Sequence, residues 1–344
     1  MSLLENPKEV KENFYVSRVY GAYYEIYNQS YGTKRATLRG KLRLEKTEDR
    51  NPFVVGDKVL AQGKLQTNEE WIILERAERE NFLVRKSSFS DKHVLCANVD
   101  YVAVIASLAD PETKGGFIDR CVAACYEANI KPYIILTKKD LEEEEYTNEK
   151  EKYYRGLGYS CLAISVVTGE GLDELKLAFK GKKIFLVGNS GSGKSTLINS
   201  ILGKELLKTN EISEGTRKGK HTTTNSYLLP FGNSSFLIDS PGVKEWGVLH
   251  LDRVTILESF PELLKHKSDC ELSNCCEMDQ GCIMLTKSEE LPPERYDSLQ
   301  SMLEDAEIPY RIRTGNILKN KVKHFKDQTF NRKKKNKDIG YDFE

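Results

Sequence analysis

The sequence has no stretch long enough to cross a bilayer. Its longest apolar run, around Tyr101–Ala109, is strand-sized and well short of the about 20 residues that a spanning helix needs. A signal peptide is missing too, since Met1-Ser2-Leu3-Leu4-Glu5-Asn6 carries neither a basic region nor an apolar core. These absences argue against a membrane-embedded or exported protein, and a cytoplasmic location is expected. Net charge is also lacking: 52 basic residues balance 52 acidic ones. That zero hides an uneven distribution. Between Arg311 and Lys337 eleven Lys/Arg stand against one acid, Asp327, while acid gathers in Asp140–Glu151. Such a basic tail is either solvated chain or an electrostatic contact to nucleic acid. Four of the eight cysteines fall within Cys270–Cys282, and in a cytosolic chain that clustering favours a metal over disulfides.

A chain of 344 residues, 39% hydrophobic and 30% charged, is large enough for two or three globular domains. From about residue 13 to 85 it reads as five short strands: Phe14–Tyr20, Tyr23–Tyr27, Ala36–Leu44, Lys58–Gln62 and Trp71–Ala77. Turn-forming residues separate them, and five strands in so short a span suit an OB-type barrel. The third alternates basic and other residues from Lys34 to Arg43, with Tyr20, Tyr23, Tyr24 and Tyr27 nearby. Bases stack on aromatics while cations follow a phosphate backbone, so this barrel has the composition of an RNA binder.

From about 90 to 250, apolar strands alternate with helices. The strands are expected at Tyr101–Ser107, Pro132–Leu136, Tyr159–Ile164, Lys183–Val187 and Phe236–Ile238, and the helices at Phe117–Ala128, Leu172–Phe179 and Ser195–Leu202. That alternation predicts a mostly parallel sheet covered on both faces. Tyr227–Phe231, Gly232-Asn233 and Ser235–Ile238 read as a hairpin that adds an antiparallel edge. Beyond about 255 the chain becomes helical and polar, with Pro292-Pro293 ahead of a helical pattern that runs to Leu303.

Four short motifs fall at the ends of these strands, and a fifth lies between the phosphate loop and the last strand. Gly188-Asn189-Ser190-Gly191-Ser192-Gly193-Lys194-Ser195, followed by Thr196, lies between a strand and a helix. Its glycines let backbone amides turn toward phosphate oxygens, and the helix N-terminus adds partial positive charge. Lys194 is expected to reach the outer phosphates, and Ser195 to bind Mg²⁺. Thr137-Lys138-Lys139-Asp140 ends another strand. The Asp140 carboxylate can accept hydrogen bonds from guanine N1–H and the N2 amine, and Lys138 can lay its stem over the ring. Thr137 stands where such motifs usually begin with Asn. Ser165-Val166 opens the loop after the next strand, where a backbone amide is expected against guanine O6. Downstream, Gly219-Lys220-His221-Thr222-Thr223-Thr224 reads as a switch whose Thr223 gives a hydroxyl to Mg²⁺. Asp239-Ser240-Pro241-Gly242 reads as a γ-phosphate sensor, with Asp239 reaching Mg²⁺ through water and the Gly242 amide meeting the phosphate. Where Ras-type enzymes follow that sensor with a water-orienting Gln, this chain has Val243, and His221 is the nearest polar candidate for the task. The base reader precedes the phosphate loop, the reverse of the usual order. That arrangement points to a circularly permuted GTPase.

In this order, and in its other segments, the chain resembles the ribosome small-subunit-dependent GTPases, bacterial permuted GTPases that help mature the small ribosomal subunit. The likeness rests on the motifs above and on Arg39-Gly40-Lys41-Leu42-Arg43, Val55-Gly56-Asp57-Lys58-Val59, Ala97-Asn98-Val99-Asp100 and His221-Thr222-Thr223-Thr224. It implies a multidomain α/β protein: an N-terminal extension over 1–12, an OB-fold β-barrel over 13–88, a permuted P-loop GTPase domain over 89–255, a helical zinc-binding domain over 256–318 and a basic tail over 319–344. GTP or GDP, Mg²⁺ and one Zn²⁺ are the implied cofactors. The small (30S) ribosomal subunit and its rRNA are the implied partners, with no membrane, and a monomer is expected. The implied function is GTP hydrolysis in late maturation of that subunit, with hydrolysis releasing the protein from rRNA. The alternatives are a nucleotide-dependent RNA-binding scaffold with little hydrolysis, or an ATP-using P-loop enzyme. In the cysteine cluster Cys270 and Cys275 keep the family's first spacing, but Glu277 stands where the family has His. Cys276 lies six residues before Cys282 and restores the second spacing, giving a ligand set of Cys270, Cys275, Cys276 and Cys282, with His266 or Glu277 as stand-ins.

Overall fold

The computed structural model describes residues 9–40, 52–64, 70–85, 93–203, 226–232, 234–240, 246–269 and 281–307. Five strands form the first layer: β1 (Glu9–Val19), β2 (Tyr24–Asn28), β3 (Gly32–Leu38), β4 (Lys58–Lys64) and β5 (Trp71–Arg76). They close into a barrel in the order β1-β2-β3-β5-β4, antiparallel except for β3 against β5. Alternate side chains fill the interior, with Phe14, Val16, Tyr24, Ile26, Ala61, Trp71 and Ile73 buried. The Trp71 ring takes the space a side chain at Gly63 would need, since a Cβ there would lie 2.3 Å from it. The third strand begins and ends earlier than its composition predicts. The Asn28 side-chain oxygen accepts from the backbone N–H of Ser30 (2.8 Å) and Tyr31 (3.3 Å), closing so short a turn that pairing resumes at Gly32.

A two-stranded sheet of β6 (Phe82–Arg85) and β7 (His93–Ala97), which periodicity does not announce, leads out of the barrel. Next comes a six-stranded sheet of β8 (Tyr101–Ser107), β9 (Lys131–Thr137), β10 (Ser160–Ala163), β11 (Lys183–Gly188), β12 (Tyr227–Phe231) and β13 (Ser235–Asp239). Its order is β10-β9-β8-β11-β13-β12, with β12 antiparallel as the hairpin pattern predicts. The helices α1 (Gly115–Glu127), α2 (Glu144–Gly156), α3 (Leu172–Ala178) and α4 (Lys194–Leu202) cover it. Leu175 and Phe179 at α3 and Leu197 and Ile198 of α4 pack in one cluster, whereas Cys121 and Cys125 of α1 and Tyr154 of α2 pack in another. Cys96, Cys121, Cys125 and Cys161 are buried in apolar surroundings. Trp246 packs in the same core.

The segments around Gly56 and Ala97 join barrel and sheet. Gly56, at φ +92°, approaches Ala97 so closely that a Cβ would lie 2.1 Å from the Ala97 carbonyl oxygen. Ala97 N–H donates to Val55 O (3.0 Å), and the Asn98 amide donates to Gly56 O (3.0 Å). Next to Gly56 the buried Asp57 carboxylate takes a bidentate contact from Arg79, at 2.7 and 2.9 Å.

The C-terminal helices α5 (Arg253–Glu258), α6 (Pro261–Leu264), α7 (Ile283–Lys287) and α8 (Pro293–Glu307) share the core of α1 through Ile256, Leu263, Met284, Leu299 and Met302. Arg295 of α8 is buried between Asp119 of α1 and Glu262 of α6, the latter at 2.8 Å.

Candidate nucleotide site

The sheet brings the motifs to one edge. β11, β13, β9 and β10 are parallel, so Gly188, Asp239, Thr137 and the residues after Ala163 all lie at carboxyl ends. Strand order reverses between β11 and β8, and ligands of open α/β sheets bind at such a crevice. Gly191 (φ +81°) and Gly193 (φ +85°) hold left-handed backbone in the phosphate loop. A side chain at Gly191 would run into Pro111, whose Cδ lies 2.9 Å from the position of its Cβ. Gly193 is the N-cap of α4, whose first residue is Lys194. The buried Ser192 Oγ has no partner among the described residues. A hydroxyl donor left open in a glycine-rich turn at a helix N-terminus fits a bound phosphate chain.

Lys194 is buried and binds inward. Its ammonium pairs with the Asp239 carboxylate and donates to Ser240 O (2.7 Å), while Ser240 Oγ donates to Leu186 O (2.7 Å). Burial pushes the Asp239 carboxyl above the usual carboxylate range, and the Lys194 charge opposes that shift. Lys194 and Asp239 thus neutralise each other at the carboxyl ends of β11 and β13.

Thr137 is buried, and its hydroxyl donates to Ser192 O (2.7 Å). That bond ties the end of β9 to the glycine-rich loop after β11, so the hydroxyl does a job that does not need an amide. Lys138 takes left-handed backbone (φ 63°), and its ammonium donates to the Asp110 carbonyl. Lys139 N–H donates to Ile164 O (3.2 Å), and its ammonium pairs with Glu170. These bonds lock the loop of Thr137–Asp140 to that of Ser165–Val166, where Ser165 is buried and its Oγ accepts from Thr168 N–H (3.1 Å). Asp140 lies exposed at the end of this scaffold. The segment Asp110–Pro111, which no motif marks, touches both halves of the site through Lys138 and Gly191. A cavity of about 860 Å³ opens elsewhere, lined by Tyr146, Tyr153, Glu294 and Ser298 and by none of the motif residues, so volume does not mark the nucleotide site here. His221, Thr223 and Gly242 lie outside the described residues, as do Cys270, Cys275, Cys276 and Glu277. Of the expected zinc ligands, Cys282 is described, buried at the N-cap of α7. His266 faces Asp269 at 3.3 Å. Among the described residues no group of three or more His, Cys, Asp or Glu is placed to hold a metal.

Residues 76–249 match the model of the RsgA GTPase family. The chain belongs to that family. It is 34% identical over 297 residues to the small ribosomal subunit biogenesis GTPase RsgA of Bacteroides fragilis strain YCH46, covering 83% of this chain and 94% of that relative. Among solved structures, YjeQ from Thermotoga maritima is similar at a TM-score of 0.66 and 25% identity, covering 87% of this chain and all of that one. YloQ, described as a circularly permuted GTPase, shares the fold at a TM-score of 0.63 and 21% identity, over 87% of this chain and 96% of its own. Like other RsgA GTPases the chain is a GTP hydrolase, and its sheet order with the phosphate loop on β11 is that of a permuted GTPase domain.

Proposed function

We propose that this GTPase serves late maturation of the small ribosomal subunit, gripping rRNA in its GTP form and letting go after hydrolysis. The observation that carries the reading is the joining of a closed five-stranded barrel to a permuted GTPase sheet, in a chain whose relatives are named as small ribosomal subunit biogenesis GTPases. GTP and Mg²⁺ fit the site's donor set. Gly188–Thr196 would cradle the phosphates, Lys194 would neutralise the outer ones, Ser195, Thr223 and Asp239 would serve Mg²⁺, and Asp140 with the Ser165–Val166 loop would read guanine. When bound, Mg²⁺ supplies charge neutralisation for phosphoryl transfer. The protein's own part is to exclude adenine at Asp140, to hold the loops in register through Thr137, and to release Lys194 from Asp239.

The rRNA-facing part of the barrel is narrower than its tyrosines suggest. Tyr24 is buried against Phe53, and Tyr27 packs on Phe236, which leaves Tyr20 and Tyr23 on the rim, stacked at 4.4 Å. One structural Zn²⁺ held by Cys270, Cys275, Cys276 and Cys282 belongs to the same reading, supported by the clustering and by the affinity of thiolates for zinc. Sedimentation with purified small subunits tests the proposal. Protein loaded with a non-hydrolysable GTP analogue is expected to co-sediment and GDP-loaded protein to remain free. Equal partitioning of the two forms, or no binding by either, rejects it.

A further inference from the structure

A ladder of rings and guanidinium groups runs from the barrel's rim to the GTPase sheet. Arg35 lies 4.0 Å from the centre of the Tyr23 ring, and Tyr23 stacks on Tyr20. Arg18 sits 5.6 Å from the Tyr20 ring on one side and 4.0 Å from the Tyr227 ring on the other. Hydrogen bonds fix its middle: Arg18 Nη1 donates to the Tyr20 hydroxyl (2.6 Å), which donates to Glu25 (2.9 Å). Tyr227 is the first residue of β12, and its register partner on β13 is Asp239. Cross-strand partners share a face of the sheet. The ladder therefore ends beside the carboxylate that holds Lys194.

We propose that the Arg18–Tyr227 stack is a positioning contact through which the barrel's rim and the phosphate site sense each other's state. Strand β1 meets the β12–β13 hairpin at both ends. At the turn end Tyr15 packs on Phe236 (5.5 Å), an apolar contact backed by Tyr27 (5.8 Å). At the nucleotide end the contact is the Arg18 plate on Tyr227, held by orientation rather than by burial. Asp239 and Ser240 take two of the three donors of the Lys194 ammonium, so a phosphate drawing on that ammonium competes with Asp239 for its charge and alters what Asp239 binds. Its register neighbour Tyr227 is where the barrel meets that end of the hairpin. By reciprocity, ordering the rim would bias the site. The rim's contact with RNA rests on the function proposed above, but the coupling itself does not, and it has a readout that needs no ribosome.

Hydrogen exchange of the full chain, loaded with GDP or with a non-hydrolysable GTP analogue, tests it. Wild-type amides between Arg18 and Tyr24 are expected to exchange at rates differing by about fivefold between the two forms, the lower end of allosteric couplings. Arg18→Ala is expected to abolish the difference and Tyr227→Phe, which keeps the ring, to preserve it. Should Arg18→Ala fold poorly, Arg18→Lys, which keeps the charge and loses the plate, is expected to reduce the difference as well. Identical exchange in both wild-type forms, or a difference that survives loss of the Arg18 plate, overturns the proposal. If the exchange difference holds while small subunits fail to bind, the functional reading falls and the coupling stands.

Discussion

On the function proposed, base choice would rest on Asp140, whose carboxylate stands at the end of a loop cross-braced by Lys139 to Ile164 and Glu170. An amide cannot accept from both guanine N–H groups, and a polar group left unsatisfied costs roughly 1–3 kcal/mol. Asp140→Asn is therefore expected to weaken GTP about a hundredfold, on the same scale of unsatisfied groups, and to favour xanthosine triphosphate, whose oxygen replaces the amine. Equilibrium titration with both nucleotides checks this, and an unchanged preference for GTP defeats the assignment. Thr137 works by a different route, because its 2.7 Å bond goes to the phosphate loop and not to the base. Thr137→Val keeps the shape and removes the donor. At about 0.5–1.5 kcal/mol for one hydrogen bond, affinity for GTP and GDP is expected to fall roughly threefold to tenfold alike. A loss confined to guanine over other bases contradicts the positioning role. Residues like these differ in how legible they are. The phosphate loop is local, and its spacing alone shows it. The partner of Thr137 lies 55 residues away, and only the neighbouring places of β9, β8 and β11 in the sheet bring the two together.

Elements were legible where a buried face set the period. The hairpin of β12 and β13 falls where alternation and Gly232-Asn233 place it, and β8 matches its apolar run residue for residue. Helix α2 was hidden because it buries only Thr147 and Tyr154, so its sequence reads as a stretch of acid. What docks α8 was hidden for the opposite reason: Arg295, a charged residue in a polar helix, is buried. Burial holds the Asp119 carboxyl up, against the pull of Arg295 beside it. Arg295→Ala strands that carboxylate, and breaking a buried pair costs about 3–5 kcal/mol. Chemical denaturation is expected to show that loss, and Arg295→Met with Asp119→Leu to recover much of it. A single mutant as stable as wild type shows that the pair is not what docks the helix. The cysteine cluster, between α6 and α7, carries a separate expectation. Protein purified without added zinc should hold near one equivalent per chain, since structural sites are closed by four protein ligands. Cys270→Ser with Cys282→Ser should lose the metal and loosen the C-terminal helices first. A folded, metal-free wild type removes the site.

At the scale of the molecule, the segments Val55–Val59 and Ala97–Asp100 show what a linear reading misses. In the sequence each is only a stretch that resembles the family, and the fold sets Gly56 against Ala97 to fasten barrel to sheet. The permuted order has a mechanical consequence as well. Asp239 ends the last strand of the sheet, so the sensor segment leads straight into the C-terminal helices. That segment carries Val243 in place of a water-orienting glutamine, and valine cannot hold a nucleophile. Another group must position the water, and His221 is the nearest polar candidate in the switch sequence. Poor positioning of an attacking group costs several kcal/mol of barrier. Hydrolysis by the free protein is accordingly expected to be slow, and to rise by orders of magnitude when docking on the small subunit orders the switch. Turnover of wild type and His221→Ala, each with and without purified subunits, decides both halves. If His221 orients the water, its loss should erase most of the subunit-dependent rise and leave nucleotide affinity intact. Wild-type rates that ignore the subunits would end the activation mechanism, whereas a fully activated His221→Ala would pass the water-orienting role to a group supplied by the subunit.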